Sequence, residues 1–195
     1  MGQTLFTHDT EITLRAASVL VNSDRIAGEQ LGDQAALNAY LAEYGATGRR
    51  DRNQDELAQV HRLRDRLGRI WAAADDEVRT VREVNALLAD TRAAPWLTRH
   101  PEMPQWHLHL ASVDDPLAQR LGAEIAMALA DLIRAGELRR LKTCAAPDCG
   151  AVFVDLSRNR SRMFCDTGNC GNRQHVAAYR ERRAKAPVDN RGTPP

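Results

Sequence analysis

No cysteine precedes Cys144 in this 195-residue chain, and all four of its cysteines lie between Cys144 and Cys170. A disulfide-framed extracellular module would need bridges elsewhere and an apolar leader, and Met1-Gly2-Gln3-Thr4 opens no apolar signal segment. Nowhere does an uncharged apolar run approach the roughly eighteen residues that a membrane span requires. Also missing are a phosphate-cradling glycine loop, a nucleophile paired with a base, and a metal site with an open position, so nothing in the sequence favours an enzyme. These absences lead to the expectation of a soluble, cytoplasmic, non-enzymatic protein with reduced thiols.

What is present is concentrated near the C-terminus. Cys144-Ala145-Ala146-Pro147-Asp148-Cys149 is followed by residues 150 to 164 and then by Cys165-Asp166-Thr167-Gly168-Asn169-Cys170, two pairs of identical internal spacing. Pro147-Asp148 and Asp166-Thr167-Gly168-Asn169 supply the turn chemistry that folds each pair into a tight knuckle. Four thiolates around one small divalent ion suit zinc, and two disulfides are the weaker alternative. With all four positions filled by sulfur, such an ion is structural.

Several segments here resemble one known family. Cys144-x4-Cys149, Val152-Phe153-Val154-Asp155, Ser157-Arg158-Asn159-Arg160-Ser161-Arg162, Cys165 and Cys170-Gly171-Asn172-Arg173 are similar to the CGNR zinc-finger family, whose members carry this module behind a helical ABATE domain. Val19-Leu20-Val21-Asn22-Ser23 resembles that domain's apolar run ending in Asn-Thr, with Ser23 in place of Thr. Family members are regarded as candidate stress-induced transcription regulators of bacteria. The resemblance implies zinc ligands at Cys144, Cys149, Cys165 and Cys170, a DNA-facing motif at Gly171, Asn172 and Arg173, and a small-molecule sensing pocket in the helical domain, with 96–106 as its rim.

The charge distribution agrees with a polyanion partner. Residues 139–185 hold eleven Lys+Arg against four acids, a net +7, while the remaining residues hold 16 basic and 22 acidic side chains, a net −6. A solvated basic tail would look similar. Without an internal glycine after Gly171 or any proline, Cys170 to Arg183 reads as a helix, with Arg173, Arg180, Arg182 and Arg183 suited to phosphates and Asn172 and Gln174 to a base edge. Arg158, Arg160 and Arg162 alternate on the preceding loop. Arg173 can instead pair with Asp155 or Asp166.

Upstream, apolar periodicity predicts helices from Glu11 to about Val21, Gln34 to Tyr44 capped by Asp33, Asp55 to Ala73, and Glu77 to Leu88 along Val78, Val81, Val84, Leu87 and Leu88. Residues 93–112 break that period: Trp106, Leu108 and Leu110 alternate with His107, His109 and Ala111, which predicts a hairpin covering the helices. His107 and His109 then share a face near His100. Asp115 as cap and Pro116 at the first helical position predict a long central helix that Gly136 ends.

The expected architecture is mainly α: an N-terminal helical bundle with a small hairpin (1–138), a treble-clef-like four-cysteine zinc module ending in a helix (139–185), and a disordered tail (186–195). The expected function is a zinc-stabilised regulator that binds double-stranded DNA, nucleoid-associated when bound. The helical domain would regulate it through a small-molecule effector or partner, and a homodimer would lengthen the site it reads. A zinc-stabilised RNA-binding or protein-interaction adaptor is the alternative.

Overall fold

A computed structural model describes residues 6–100 and 103–185; the tail expectation for 186–195 lies outside the described residues. Helices α1 (His8–Asn22), α2 (Gln34–Glu43), α3 (Gln54–Ala72) and α4 (Glu77–Asp90) precede a hairpin of β1 (Trp96–His100) and β2 (Met103–His109). The long helix α5 (Leu117–Arg134), a hairpin of β3 (Leu141–Thr143) and β4 (Val152–Val154), and α6 (Cys170–Lys185) complete the chain.

Side-chain caps set three of the helix starts. Asp33, Asn53 and Asp76 each accept a hydrogen bond from the backbone N–H three residues on, at Ala36, Glu56 and Arg79. The expected Asp115 cap is displaced by one residue. Asp115 instead accepts the N–H of Ser112 at 2.8 Å, closing the preceding turn, so Pro116 takes the cap position and Leu117 begins α5.

α5 packs against α1, α3 and α4 and occupies the centre of the bundle, burying Ile125, Ala126, Leu129 and Leu132. Its alanines and Gly122 let neighbouring helices come close; a Cβ on Gly122 would lie 2.9 Å from Thr91 Cγ2. On α4 the expected stripe is only partly right. Val78 is 71% exposed, and Thr80 is buried in the first turn because its hydroxyl donates to the Ala73 carbonyl at 2.6 Å.

The first hairpin forms as its alternation predicts, with Trp96 opposite His109, Leu97 opposite Leu108 and Thr98 opposite His107. His107 and His109 share a face, their rings 5.0 Å apart. Glu124 on α5 anchors the base by accepting the Leu110 N–H at 3.1 Å. The hairpin covers less of the bundle than expected, since Leu97 and Trp106 remain 65% and 64% exposed.

The second hairpin is built into the bundle. Leu141, Val152 and Val154 belong to the main apolar core, while Phe153, on the opposite face of β4, packs with Cys144, Ala146, Ala151, Cys165 and Cys170. Strand alternation thus lets three residues of β4 serve two cores. Gly136, at φ +70, ends α5 in the left-handed conformation that a helix terminus favours, and a single 3-10 turn, Leu138–Arg140, leads into β3.

Candidate metal centre and nucleic-acid surface

The β3–β4 pairing closes the first knuckle as the loop between the two strands, and the Cys165 N–H, which donates to Cys144 Sγ at 3.4 Å, helps bring the second knuckle against it. Cys144 N–H donates to the Ala151 carbonyl at 2.8 Å, Ala145 N–H reaches the Met163 carbonyl at 2.8 Å, and Cys149 N–H closes the first knuckle on Ala146 at 3.0 Å. In the second, Asn169 adopts φ +49 and Cys170 opens α6. The four sulfurs all lie within 4.8 Å of one another, with Cys149 to Cys165 and Cys165 to Cys170 both 3.7 Å apart.

A tetrahedron of sulfurs at the usual zinc–thiolate distance has edges of about 3.8 Å, so the observed spacing fits. Cys144, Cys165 and Cys170 are buried and Cys149 is half-buried. All four are free thiols, and no other group of His, Cys, Asp and Glu suited to a metal occurs among the described residues. In the metal-free chain, burial and the three neighbouring sulfurs push Cys165 up to about 12. A divalent ion is what allows four thiolates to share so small a volume, and the set fits one structural zinc ion.

Beneath the knuckles, Asp155 organises the basic loop. Its fully buried carboxylate accepts hydrogen bonds from Lys142 Nζ at 2.7 Å, the Ser157 hydroxyl at 2.5 Å, and the N–H groups of Ser157 at 3.0 Å and Arg162 at 2.9 Å. Burial alone would raise the Asp155 pKa, but these donors outweigh it and hold it down to about 2. Lys142 also donates to the carbonyls of Arg160 and Arg162, and Arg140 Nη1 donates to those of Asp155 and Ser157. Arg140 and Lys142, two members of the basic segment, are therefore internal staples.

This loop gives a pH prediction. Because the folded carboxylate titrates at about 2, below its unfolded value near 4, its stabilisation is full above pH ~4 and is lost as pH falls through about 2. Asp155→Asn is expected to cost about 2 kcal/mol at pH 7. In urea denaturation its deficit relative to the unsubstituted protein should shrink as pH falls from about 4 toward 2.

The other basic candidates divide by commitment. Arg162 pairs with Asp166 at 2.7 Å and lies over the Phe153 ring, while Arg160 reaches Glu137 at 3.4 Å. Arg173 pairs with neither Asp155 nor Asp166, both already taken; it meets Asp148 at 2.8 Å. Arg158, Asn172, Arg180, Arg182 and Arg183 are exposed, and neither their side chains nor that of the half-buried Gln174 make a hydrogen bond or ion pair with the described residues. On α6, Asn172, Val176, Tyr179 and Arg183 fall on one line at i, i+4, i+7 and i+11, with Arg180 and Arg182 on either side.

The short Leu138–Leu141 link predicts a finger held near the bundle, but sequence reasoning missed the side chains that join the two. The Asn22 side chain donates to the Val152 carbonyl and accepts the Val152 N–H, both at 2.8 Å, pairing with β4 as another strand would. Trp71 Nε1 donates to the Phe153 carbonyl at 3.4 Å, and Arg25 Nη1 to that of Gly150 at 3.5 Å. The available signal was an asparagine ending an apolar helical run.

Two open surface cavities occur, and the described residues of 96–106 line neither. One of ≈ 390 Å³ lies among Ala74, Glu77, Ile133, Leu138, Arg139 and Arg160; another of ≈ 510 Å³ lies beside Asp33, Gln34, Leu57 and His61. Among the described residues no helix is long and apolar enough to cross a membrane.

A helical bundle whose last strands carry a four-cysteine knuckle module and a terminal basic helix defines a zinc-finger protein with a helical partner domain. The chain belongs to the ABATE family, described as "putative stress-induced transcription regulator", whose model matches residues 14–136, more than half of the chain. The CGNR zinc-finger model matches residues 140–183, in the same order from N- to C-terminus. No curated protein matches the chain.

Proposed function

We propose that this protein is a transcription regulator that docks on duplex DNA through α6 and the loop of residues 155–162, with Cys144, Cys149, Cys165 and Cys170 holding one structural zinc. The observation that carries this reading is the set of exposed cations, Arg158, Arg180, Arg182 and Arg183, without partners among the described residues, three of them on a helix whose first residue is a cysteine of the cluster. Cations left unpaired by their own fold are suited to phosphates. Asn172, on the same face, has the amide chemistry to read an adenine edge, and Val176 can meet a thymine methyl. Arg160 contributes through the loop; Gln174 lies on the far side of α6, and Arg162 is occupied internally. Residues 1–138 act as the regulatory unit and 139–185 as the finger, with an effector in one of the two cavities. One finger helix spans few base pairs, so specific binding would use two copies of the chain.

Substitution separates the roles. The Arg180→Gln/Arg182→Gln double variant should weaken binding to all duplex sequences and reduce the slope of log K against log salt by about 1.8, the counterion release of two phosphate contacts. Asn172→Ala should leave that slope intact and relax preference at one base pair by roughly 1–3 kcal/mol. Unchanged affinity, slope and preference in both variants would remove α6 as the docking surface.

A further inference from the structure

We propose that Arg173 is a positioning residue of the metal centre, holding a cysteine sulfur and joining the two knuckles, rather than a contact to nucleic acid. Its Nη2 donates to Cys170 Sγ at 3.2 Å, its Nη1 to Asp148 Oδ2 at 2.8 Å, and Nη2 also approaches Asp148 Oδ1 at 3.4 Å. Asp148 sits inside the first knuckle, one residue before Cys149, whereas Arg173 belongs to the first turn of α6. One guanidinium therefore spans from the turn of one cysteine pair to the last sulfur of the other.

The chemistry favours such a group. A divalent ion with four thiolates keeps excess negative charge, and a donor aimed at a ligand sulfur offsets it and fixes the ligand's orientation. Arginine is suited to this because its planar fork serves sulfur and carboxylate together, whereas a lysine ammonium offers one compact charge. The pair itself is about half exposed, so the ion pair alone contributes little. Its effect comes through the sulfur. Because Arg173 lies in the first turn of α6 and Asp148 in the first knuckle, the Asp148 contact also ties the start of the helix to the other cysteine pair.

The inference rests on the cysteine cluster and not on the DNA reading, and its test separates the two. Zinc-loaded full-length protein and its R173Q, R173K and D148N variants are mixed with excess chromophoric chelator, and zinc release is timed. Loss of an outer partner of a metal ligand typically weakens the site by about 10–100-fold, so R173Q should release zinc at least about tenfold faster. R173K should fall between R173Q and the unsubstituted protein, and D148N, which leaves the sulfur contact, should be milder than R173Q. With cobalt substituted for zinc, the thiolate-to-metal charge-transfer band should shift in R173Q, while far-ultraviolet circular dichroism stays that of the folded bundle. Zinc release at the unsubstituted rate in R173Q overturns the proposal. On duplex DNA the zinc-loaded R173Q protein should keep the salt slope of the unsubstituted protein, and a slope smaller by about 0.9 would mark Arg173 as a phosphate contact and overturn it. If no duplex is bound, the release rates alone decide.

Discussion

Stripping the metal with a chelator is expected to melt both knuckles and α6 while the helical bundle and the β3–β4 hairpin stay folded. Composition alone suggests a larger loss, because a short cysteine-bearing module has little apolar surface and structural zinc contributes an apparent ~10–16 kcal/mol to modules of this kind. The core shows where the loss should stop. Leu141, Val152 and Val154 are buried in the bundle, and Asn22 bonds both the N–H and the C=O of Val152. α6 has no comparable support: Val176 and Tyr179 are exposed, and its ties to the rest of the finger include the packing of Gly171 near Phe164, the Arg173 N–H bond to the Asn169 carbonyl and the Arg173–Asp148 pair, besides Cys170 itself. An isolated 16-residue helix is marginal in water. Hydrogen exchange should therefore show residues 170–185 losing protection on metal removal while the Val152 and Val154 amides keep theirs. Loss of protection at Val152 together with α6 would contradict the two-core arrangement.

Asn22→Ala is expected to be the most damaging single substitution at the joint. It removes two buried hydrogen bonds and leaves the N–H and C=O of Val152 without partners, each orphan costing about 1–3 kcal/mol. The expected total is roughly 2–5 kcal/mol in urea denaturation of the zinc-loaded protein. Asn22→Asp should be intermediate, since a carboxylate still accepts the Val152 N–H but offers the carbonyl no donor. A cost below about 0.5 kcal/mol for Asn22→Ala would mean that the joint is held by apolar contact alone.

Much of this molecule is readable from local pattern. The cysteine pairs show their own spacing, α2 shows its Asp33 cap, and residues 106–110 show an alternation that suits a strand and no helix. The features missed share a physical cause: a periodic pattern identifies a buried face, but not the partner of a polar group far away in sequence. Asn22 meets Val152 130 residues later, and Arg173 meets Asp148 25 residues earlier. Arg140 and Lys142 count as positive charge in any composition, yet the carboxylates of Glu137 and Asp155 and four backbone carbonyls absorb them. Val78 carries an apolar side chain at a helical interval but lies in the first turn of α4, where the face turns to solvent. Charge segregation marks out the segment proposed here as a polyanion surface, but only the fold separates its committed cations from its available ones.

Selection from a random duplex DNA library with zinc-loaded full-length protein, run beside a single-stranded RNA library at the same salt, tests the central claim most directly. The account predicts an enriched duplex motif, with two spaced half-sites if two copies bind together. Enrichment confined to RNA, or enrichment in neither library, would contradict it and make the finger an adaptor for RNA or protein.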